Sequence, residues 1–503
     1  MSDPTPDHAE EAVADFIDNV VPTRGYQMTP LVGLGGSAGA IPALQSFFQA
    51  MPAEAGMAFV VVLHLSPEHE STLADLLQRC TSMPVIQVTQ RQRIDANHVY
   101  VIPPRKAILA LNGYLALADN QLTPRGRHVA VDLFFRTLAD THGPHAAAVV
   151  LSGADGDGAI GIKRIKERGG LTVAQDPQQA EHASMPRAAV ATGMIDWVLP
   201  VADMAPRLLK YFELEKELVL PPEEGPPPAA SPKTARSGDE STLRDVLNFV
   251  RGRTGRDFSY YKRATVVRRI ARRMQVNGVA ELTGYLDCLR TTPGEAAALL
   301  QDLLISVTNF FRDADCFAAL EPYLTQLFDG KGPDDVIRVW VPACATGEEA
   351  YSFAMLLAER ARESEAPPVI QVFATDLDDD AIRVAREASY PGTIEADISE
   401  DRLRRFFVKE HSGYKVRREI REMVLFAQHD LLKDSPFSRL DLVSCRNLLI
   451  YLNRDAQQRA FNIFHFALLP QGRLFLGSSE SVEDAGSLFT VLDKKNRIFL
   501  HRP

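Results

Sequence analysis

A serine, a histidine and two aspartates each follow an apolar run in the first half of the sequence. Ser37 comes after LVGLG within the turn GGSAG, His64 follows FVVVL, and Asp155 and Asp157 follow AAAVVL in a glycine-rich turn. A GxSxG turn can lift a serine hydroxyl to the top of a sheet. With histidine as the base and an aspartate orienting its ring, such a serine would attack an ester carbonyl. Backbone amides at the start of the next helix would hold the oxyanion.

The same turn has other interpretations. The turn also matches the pattern GxGxxA, through Gly33, Gly35 and Ala38. This match indicates either a degenerate dinucleotide-binding site or simply a tight strand-to-helix turn. A nicotinamide site expects an acidic residue at the end of the second strand, where this sequence has His64. That disfavours a reductase, although each residue taken singly also fits a structural cap.

In the second half of the sequence, acidic residues lie at or after the ends of apolar runs, as Ser37 and His64 do in the first half. Glu348 and Glu349 open a helix after VIRVWVPACATG, and Asp376 ends the run IQVFATD. Carboxylates suit a ligand with an amine and a sulfonium, so S-adenosylmethionine fits better than a nucleoside triphosphate. Asp376 is placed to accept hydrogen bonds from ribose hydroxyls. Alternatively, these acids only stabilise helix starts.

Short apolar runs alternate with helical stretches in both halves, which predicts an α/β protein with two doubly wound parallel-sheet (Rossmann-like) catalytic domains. Functional residues of such sheets gather at the carboxyl ends of the strands. Thr242 and Asp245 predict a capping box before a helix-rich stretch. The proline-rich stretch LEKELVLPPEEGPPPAASPKTARSGDE predicts a linker. The predicted order is a tail (1–27), a first catalytic domain (28–213), the linker (214–240), a small all-α subdomain (241–315) and a second catalytic domain (316–503).

Composition limits the classes of protein. The 503 residues are 46% hydrophobic and 24% charged, as in folded proteins of two or three domains. A net charge of -10 gives no general attraction to nucleic acid. Five scattered cysteines argue against a disulfide framework and against a zinc site. The acidic start and the short apolar runs predict no export signal and no membrane span, and hence a cytoplasmic protein.

The first half resembles the chemotaxis protein-glutamate methylesterase family over residues 28 to 205. The motifs are GLGGSAGA, VVLHLSPEH, HVYVIPP, VDLFFRTLA, LSGADGDGA, AQDP and SMPRAA. The resemblance implies a triad of Ser37, His64 and Asp157 that hydrolyses glutamate methyl esters on chemoreceptors, often with deamidation of receptor glutamines. Ala154 stands where the family usually has methionine. The family's phosphorylation-receiver domain is not expected here, nor is aspartyl phosphorylation.

The second half resembles the chemotaxis receptor methyltransferase over 241 to 503, through TGRDFSYYK, VVRRIARRM, LLISVTNFFRD, ACATGEEAYS, FATDLD and LDLVSCRNLLIYL. The resemblance implies donor contacts from Thr308, Arg312, Glu349, Asp376, Asp430, Leu431, Cys445 and Arg446. Ser306 replaces a common asparagine in this set. Arg312 and Tyr451 are the candidates for holding the acceptor glutamate. No metal is implied.

Two surfaces of this half have open interpretations. Six basic residues surround a helix with an apolar stripe, namely Lys262, Arg263, Arg268, Arg269, Arg272 and Arg273. They could be a solvated face or a nucleic-acid patch, and the resemblance favours steering of glutamate-rich receptor helices. Residues 390–426 resemble a small β insertion that docks a receptor tail in some members of the family.

The leading hypothesis is a bifunctional enzyme that installs and removes methyl esters on receptor glutamates, with S-adenosylmethionine as cofactor and chemoreceptor helices as partners. A second hypothesis is a receptor-binding signalling scaffold in which one or both sites are inactive.

Overall fold

The computed structural model describes residues 28–63, 73–104, 106–119, 129–221, 236–410, 413–482 and 486–503. Two compact units divide the chain. The first contains the residues up to Phe258 together with Arg263–Ile305, and the second contains Ser259–Lys262 and Ser306–Pro503. The four residues Ser259–Lys262 therefore belong to a different unit from the helices on either side of them in the sequence.

A seven-stranded parallel sheet forms the centre of the first unit, in the order β10-β9-β8-β1-β2-β5-β3. Its strands are β1 (Leu31–Gly36), β2 (Ala58–Leu63), β3 (Val85–Gln87), β5 (Val99–Val101), β8 (Ala146–Val150), β9 (Leu171–Gln175) and β10 (Trp197–Leu199), and a small antiparallel sheet contains β4 (Gln92–Arg93), β6 (Lys106–Leu111) and β7 (Tyr114–Asp119). The apolar runs LVGLG, FVVVL and AAAVVL of the sequence analysis correspond to β1, β2 and β8 of this sheet.

Helices cover both faces of this sheet. They are α1 (Ala40–Ala50), α2 (Leu73–Gln78), α3 (Ala130–His142), α4 (Ala159–Glu167), α5 (Ser184–Ala191) and α6 (Val201–Glu215). Successive residues of one strand enter opposite cores: Val32 packs on the side of α1 and α6, and Leu31 on the side of α3. This is the doubly wound arrangement that the sequence predicts.

Four helices complete the first unit: α7 (Arg236–Thr254), α8 (Arg263–Asn277), α9 (Leu282–Thr291) and α10 (Glu295–Leu304). Helix α7 begins at Arg236, so Thr242 and Asp245 lie inside it and the predicted capping box is wrong. The all-α segment is present, but it shares a compact unit with the first sheet.

Glycines in β1 let helix α3 approach the sheet closely. A Cβ on Gly35 would lie 2.3 Å from Val131 Cγ1, and one on Gly33 would lie 2.8 Å from Phe134 Cε1. These contacts give a packing reason for the two glycines that the GxGxxA pattern shares with dinucleotide sites.

Gly35→Ala is expected to lower the free energy of unfolding by about 1–3 kcal/mol, because the added methyl overpacks a close helix contact. Urea denaturation of the full chain measures the change. Gly252→Ala is the matched control, since Gly252 lies in helix α7 with no atom within 4 Å of the added Cβ. Equal destabilisation by both substitutions would contradict the packing interpretation.

The predicted basic face is mostly buried. Arg268, Arg269, Arg272 and Arg273 of helix α8 are between 2% and 7% exposed. Arg269 Nη1 donates to the carbonyl of Lys166 at 3.0 Å, and Arg272 Nε donates to the carbonyl of Gly170 at 3.0 Å. The face is therefore turned toward the α/β part of its own unit, and the expectation of a receptor-steering or nucleic-acid surface is wrong for these arginines.

Two buried aspartates hold Arg272 in place. Its Nη1 lies 2.5 Å from Asp302 Oδ2, and its Nη2 contacts Asp196 Oδ2. Lys166 Nζ joins both carboxylates, at 2.6 Å from Asp196 Oδ1 and 2.8 Å from Asp302 Oδ1. Burial alone would raise the pKa of Asp196, but Arg272 and Lys166 outweigh burial and lower it; the same cations lower the pKa of Asp302.

Arg272→Met is expected to lower the free energy of unfolding by about 3–5 kcal/mol, because it leaves two buried carboxylates short of a cation. Groups with a depressed pKa stabilise the fold above their unfolded pKa of about 3.9, so in the wild type this contribution is lost as the pH falls below about 4. Urea denaturation between about pH 3 and pH 7 tests both effects. Arg290→Met removes only an exposed pair with Asp287 and should cost less than about 1 kcal/mol. A similarly small loss for Arg272→Met would contradict the prediction.

The second unit contains another seven-stranded sheet, ordered β16-β12-β11-β17-β18-β20-β19. Its strands are β11 (Val336–Pro342), β12 (Val369–Asp376), β16 (Val424–Gln428), β17 (Leu440–Cys445), β18 (Leu468–Leu476), β19 (Phe489–Asp493) and β20 (Ile498–His501). The first five strands in this order are parallel, and β20 and β19 extend the sheet in antiparallel pairing. The apolar runs before Glu348 and up to Asp376, which the sequence analysis named, form β11 and β12.

The second unit has helices on both faces of its sheet and a small sheet beside it. The helices are α11 (Ala314–Thr325), α12 (Glu348–Ala361), α13 (Asp379–Glu387), α14 (Glu400–Phe406), α15 (Arg418–Arg421) and α16 (Arg454–Ala467). The small antiparallel sheet, β13 (Ser389–Pro391), β15 (Gly413–Val416) and β14 (Phe407–Lys409), lies within the predicted insertion. Because β16 pairs with β12, the insertion ends earlier than residue 426.

None of the helices in the described ranges is both long and apolar enough to cross a bilayer.

Candidate functional site

Ser37 stands at the carboxyl end of β1, three residues before helix α1. Its amide donates to the carbonyl of Ser152 at 2.9 Å, and its carbonyl accepts from the amide of Ala40 at 3.1 Å. The amide of Ala154 donates to Ser37 Oγ at 3.0 Å. Since Oγ accepts this bond, the hydroxyl proton can still be given to a base.

Strand β1 lies between β2, the strand that precedes His64 in the sequence, and β8, the strand that precedes Asp157. Gly36 of β1 pairs with Leu63 of β2, so Ser37 and His64 each follow a residue of the same register pair. Strand β8, which precedes Asp157, pairs with the other side of β1. Strands β1 and β2 are therefore neighbours in the sheet. His64 itself lies outside the described residues.

Asp157 is buried and joins two helix starts. Its Oδ2 accepts from the amide of Val131 at 2.9 Å, and its Oδ1 accepts from the amides of Asp132 and Gly158 at 2.8 and 2.9 Å. These three bonds fix the carboxylate between the first turn of α3 and the turn that precedes α4. Asp155 accepts from the amide of Asp157 and is a loop residue, as the resemblance implies.

Ser152 is a structural part of this site that the sequence did not indicate. Its Oγ donates to the carbonyl of Ala38 at 2.9 Å and accepts from the amide of His182 at 2.9 Å. The side chain thereby ties the nucleophile turn to the loop that follows β9. Its position directly after an apolar run is the one signal that could have identified it.

Asp376 ends β12 and contacts the turn that follows β11. Its Oδ2 accepts from the amide of Ala345 at 2.7 Å, and its Oδ1 accepts from the amide of Asp378 at 2.9 Å. Burial raises the pKa of Asp376 to about 6, although these amides oppose the shift. The turn is strained, since Ala343 and Ala345 have φ angles of 55° and 47°.

Glu349, in the first turn of α12, is paired with Arg446. Its Oε2 lies 3.2 Å from Arg446 Nη1, and its Oε1 accepts from Ser444 Oγ at 2.7 Å. The side chain of Arg446 is 0% exposed, between the rings of Phe317 and Phe475. Arg446 therefore orients Glu349. Glu348 accepts from Thr346 Oγ1, in agreement with the helix-start alternative.

The loop between α10 and α11 carries the predicted residues Ser306, Thr308 and Arg312. Ser306 Oγ donates to Asp378 Oδ2 at 2.8 Å, and Asp378 also caps helix α13. Thr308 is buried, and Arg312 Nη1 donates to the carbonyl of Val307 at 3.3 Å. The shorter hydroxyl of Ser306 is thus bound to the turn that follows Asp376.

The remaining predicted positions follow β16 and β17. Asp430 Oδ1 accepts from the amide of Leu432 at 3.0 Å, and its Oδ2 lies 3.4 Å from Lys433 Nζ. Leu431 and Cys445 are buried in one hydrophobic cluster. The carbonyl of Tyr451 accepts from the amide of Lys262 at 2.7 Å.

The chemistry of these residues fits S-adenosylmethionine. Burial raises the pKa of the Cys344 thiol well above its usual value, and the neighbouring carboxylates of Asp376, Glu348 and Glu349 raise it further. Several carboxylates therefore share one buried turn. A cationic sulfonium and amine would be stabilised there, and Asp376 would hold ribose hydroxyls.

Comparisons with known proteins agree with both halves. Three family models match: CheB methylesterase over residues 32–208, the all-alpha domain of CheR methyltransferase over 241–304, and the SAM binding domain of CheR methyltransferase over 306–498. A solved structure, the Thermotoga maritima CheB methylesterase catalytic domain, is 24% identical, covers 36% of this chain and 98% of that one, and has a TM-score of 0.34.

Three curated relatives are similar to different parts of the chain. An uncharacterized 104.1 kDa protein of Rhodobacter capsulatus is 38% identical over 85% of this chain, which spans 46% of that relative's length. The chemotaxis protein methyltransferase of Escherichia coli is 31% identical over 50% of this chain and 88% of its own length. A provisionally named protein-glutamate methylesterase/protein-glutamine glutaminase of Leptospira interrogans is 30% identical over 34% of this chain and 89% of its own length.

The methyltransferase domain uses S-adenosylmethionine as its cofactor. With one domain similar to each enzyme along a single polypeptide, the chain belongs to both the chemotaxis methylesterase family and the chemotaxis methyltransferase family.

Proposed function

We propose that this chain installs methyl esters on glutamate side chains of chemoreceptors and hydrolyses them again, with one active site in each compact unit. The pairing of β1 with β2 supports the esterase half, because Ser37 and His64 directly follow the paired residues Gly36 and Leu63 in the sequence. The carboxylates around the β11–α12 turn support the methyltransferase half.

In the esterase site, Ser37 Oγ attacks the ester carbonyl while His64 accepts its proton and returns it to the leaving methanol, which leaves the glutamyl group as an ester on Ser37. A water molecule, deprotonated by His64, then attacks this ester and releases the glutamate carboxylate, and the proton returns to Ser37 Oγ. Asp157 is proposed to hold the imidazole in the required tautomer. The Ala154 amide, 3.0 Å from Ser37 Oγ, is the candidate oxyanion donor. Since this donor belongs to the main chain, alanine in place of the family's methionine keeps it. The Ala40 amide at the start of α1 is already bonded to the Ser37 carbonyl.

In the methyltransferase site, Asp376 holds the ribose, and Glu349 and Asp430 contribute negative charge beside it. The cofactor supplies an activated methyl group when it is bound. A glutamate acceptor is already ionised near neutral pH, so the protein has to orient and desolvate it rather than remove a proton. Arg312 and Tyr451 are proposed to position that carboxylate.

The full chain should be incubated with S-adenosylmethionine labelled on its methyl group and with receptor cytoplasmic fragments. We expect label to enter the fragments and then to appear as methanol. Binding of S-adenosylhomocysteine without either activity would favour the scaffold. Fragments with glutamine at the methylation positions test for deamidation, the activity that the name of the Leptospira relative includes.

A further inference from the structure

The loop that follows β9 is bonded to the turn that follows β8, at the edge of the sheet where Ser37 lies. The amide of His182 donates to Ser152 Oγ at 2.9 Å, and the amide of Gly153 donates to the carbonyl of His182 at 2.9 Å. The carbonyl of Ser152 accepts the amide of Ser37. The backbone directly after Glu181 is therefore fixed to the residues that hold the nucleophile turn.

The side chain of Glu181 lies over Gly39, which follows Ser37 by two positions in the sequence. A Cβ built on Gly39 would lie 2.7 Å from Glu181 Cβ, 2.9 Å from Glu181 Oε2 and 2.8 Å from Ser152 Oγ. The carboxylate and the Ser152 hydroxyl thus border the same point of the nucleophile turn. Gly39 is also the N-cap residue of helix α1, so the carboxylate lies at the start of that helix.

The carboxylate of Glu181 is open to solvent. Its side chain is 64% exposed, and its Oε1 lies 3.8 Å from His182 Nε2. In the part of the chain that the structure describes, no arginine or lysine forms an ion pair with it. The residue between Ser37 and Gly39 is Ala38, which is exposed, as is Ala154 in the facing turn. These two turns therefore place no large side chain between the carboxylate and the serine.

We infer that Glu181 is a specificity-determining residue of the esterase site, which disfavours methyl esters that have free carboxylates close to them. The inference rests on the proposed esterase function and names the substrate class of that site. A glutamate is negatively charged near neutral pH, and like charges repel. A methyl ester is neutral, but a glutamate three or four positions away on a helix has its Cβ only about 5–6 Å from that of the esterified residue.

The selected substrates are esters whose neighbouring glutamates are themselves esterified or replaced by uncharged residues. Each hydrolysis creates a new carboxylate beside the remaining esters. Hydrolysis of those esters is therefore slower than that of the first.

Two receptor fragments test the inference. Each carries one labelled glutamate methyl ester, with glutamate in one fragment and alanine in the other at the positions three and four residues away. Alanine is used because deamidation of glutamine would create a carboxylate. At about pH 8, where imidazoles are ordinarily neutral, and at low salt, we expect the wild type to release methanol from the alanine fragment with a kcat/KM about three- to tenfold higher.

Glu181→Gln should lower this ratio of kcat/KM values at least about threefold, and Glu181→Lys should lower it further. Raising the salt to about 0.5 M should also lower the ratio of the wild type, because exposed charges are screened. A ratio measured on one variant is unaffected by a general loss of activity, since both fragments meet the same active site.

Glu54→Gln is the matched control, because Glu54 is exposed and precedes β2, at the opposite edge of the sheet. Its ratio should stay within about 1.5-fold of the wild type. An equal fall in Glu54→Gln would overturn the inference, since net charge would then be the cause. An unchanged ratio in Glu181→Gln would overturn it too, and Glu181 would then only stabilise the start of α1, whose first turn has no acidic residue. Absence of methanol release from both fragments with the wild type would instead reject the proposed esterase function.

Discussion

Ser37→Ala is expected to lower methanol release from a premethylated receptor fragment by at least about 10³-fold. The substitution removes the nucleophile and leaves the turn in place, because the turn is held by the Ser37 amide and by Ser152. Methyl incorporation from labelled S-adenosylmethionine should continue, and label should accumulate in the fragment. Methanol release and the label retained in the receptor fragment are measured in parallel.

The second active site offers the control for this experiment. Asp376→Asn should strongly lower incorporation at a donor concentration below the Kd of the variant, while methanol release from the premethylated fragment continues. Unchanged methanol release in Ser37→Ala would show that the triad assignment is wrong. Asp157→Asn should reduce methanol release as well, and it perturbs the turn less than Asp157→Ala, because its single oxygen keeps one of the two acceptors for the first turn of α3.

Binding of S-adenosylhomocysteine is expected to weaken by about tenfold per pH unit as the pH falls below about 6. Asp376 must be ionised to accept hydrogen bonds from both ribose hydroxyls, and burial raises its pKa to about 6. A carboxyl with a raised pKa is ionised above that value and protonated below it, so affinity is full near pH 8 and lost on acidification. Titration calorimetry between about pH 5 and pH 8 measures the profile.

Asp376→Asn is expected to weaken binding by about 10- to 100-fold at pH 8 and to remove the pH dependence. A thermal unfolding curve of the free variant checks the turn, because Asp376 also accepts the amides of Ala345 and Asp378. If the affinity of the variant depended on pH as strongly as that of the wild type, the titrating group would be another acid of the site, such as Glu349 or Asp430.

Strands and strand-end residues were predictable from the sequence. Buried parallel strands are short continuous apolar runs, and the residue that follows such a run lies at the functional edge of the sheet. Ser37, His64 and Asp376 were identified in this way, whereas Asp157 was chosen over Asp155 only through the family resemblance. Their catalytic roles stay predictions.

Which charged residues form ion pairs with one another was not predictable from the sequence. Arg272 looks solvent-exposed in the pattern of helix α8, and only the fold brings it to Asp196 and Asp302, which are 76 and 30 residues away in the sequence. Arg446 likewise binds Glu349 across 97 residues. A cation at a given helical position is exposed or buried according to what packs against that face, and helical periodicity contains no information about that partner.

The sequence by itself therefore determined two α/β domains, the strand-end side chains and the acidic character of the donor site, because these follow from local runs and their order. The tertiary structure alone decided that the all-α helices join the first unit, that the α8 arginines are buried, and that Ser259–Lys262 lie in the methyltransferase unit. Those outcomes depend on contacts between residues far apart in the chain, whose free energies are set by the packed surfaces and not by local sequence.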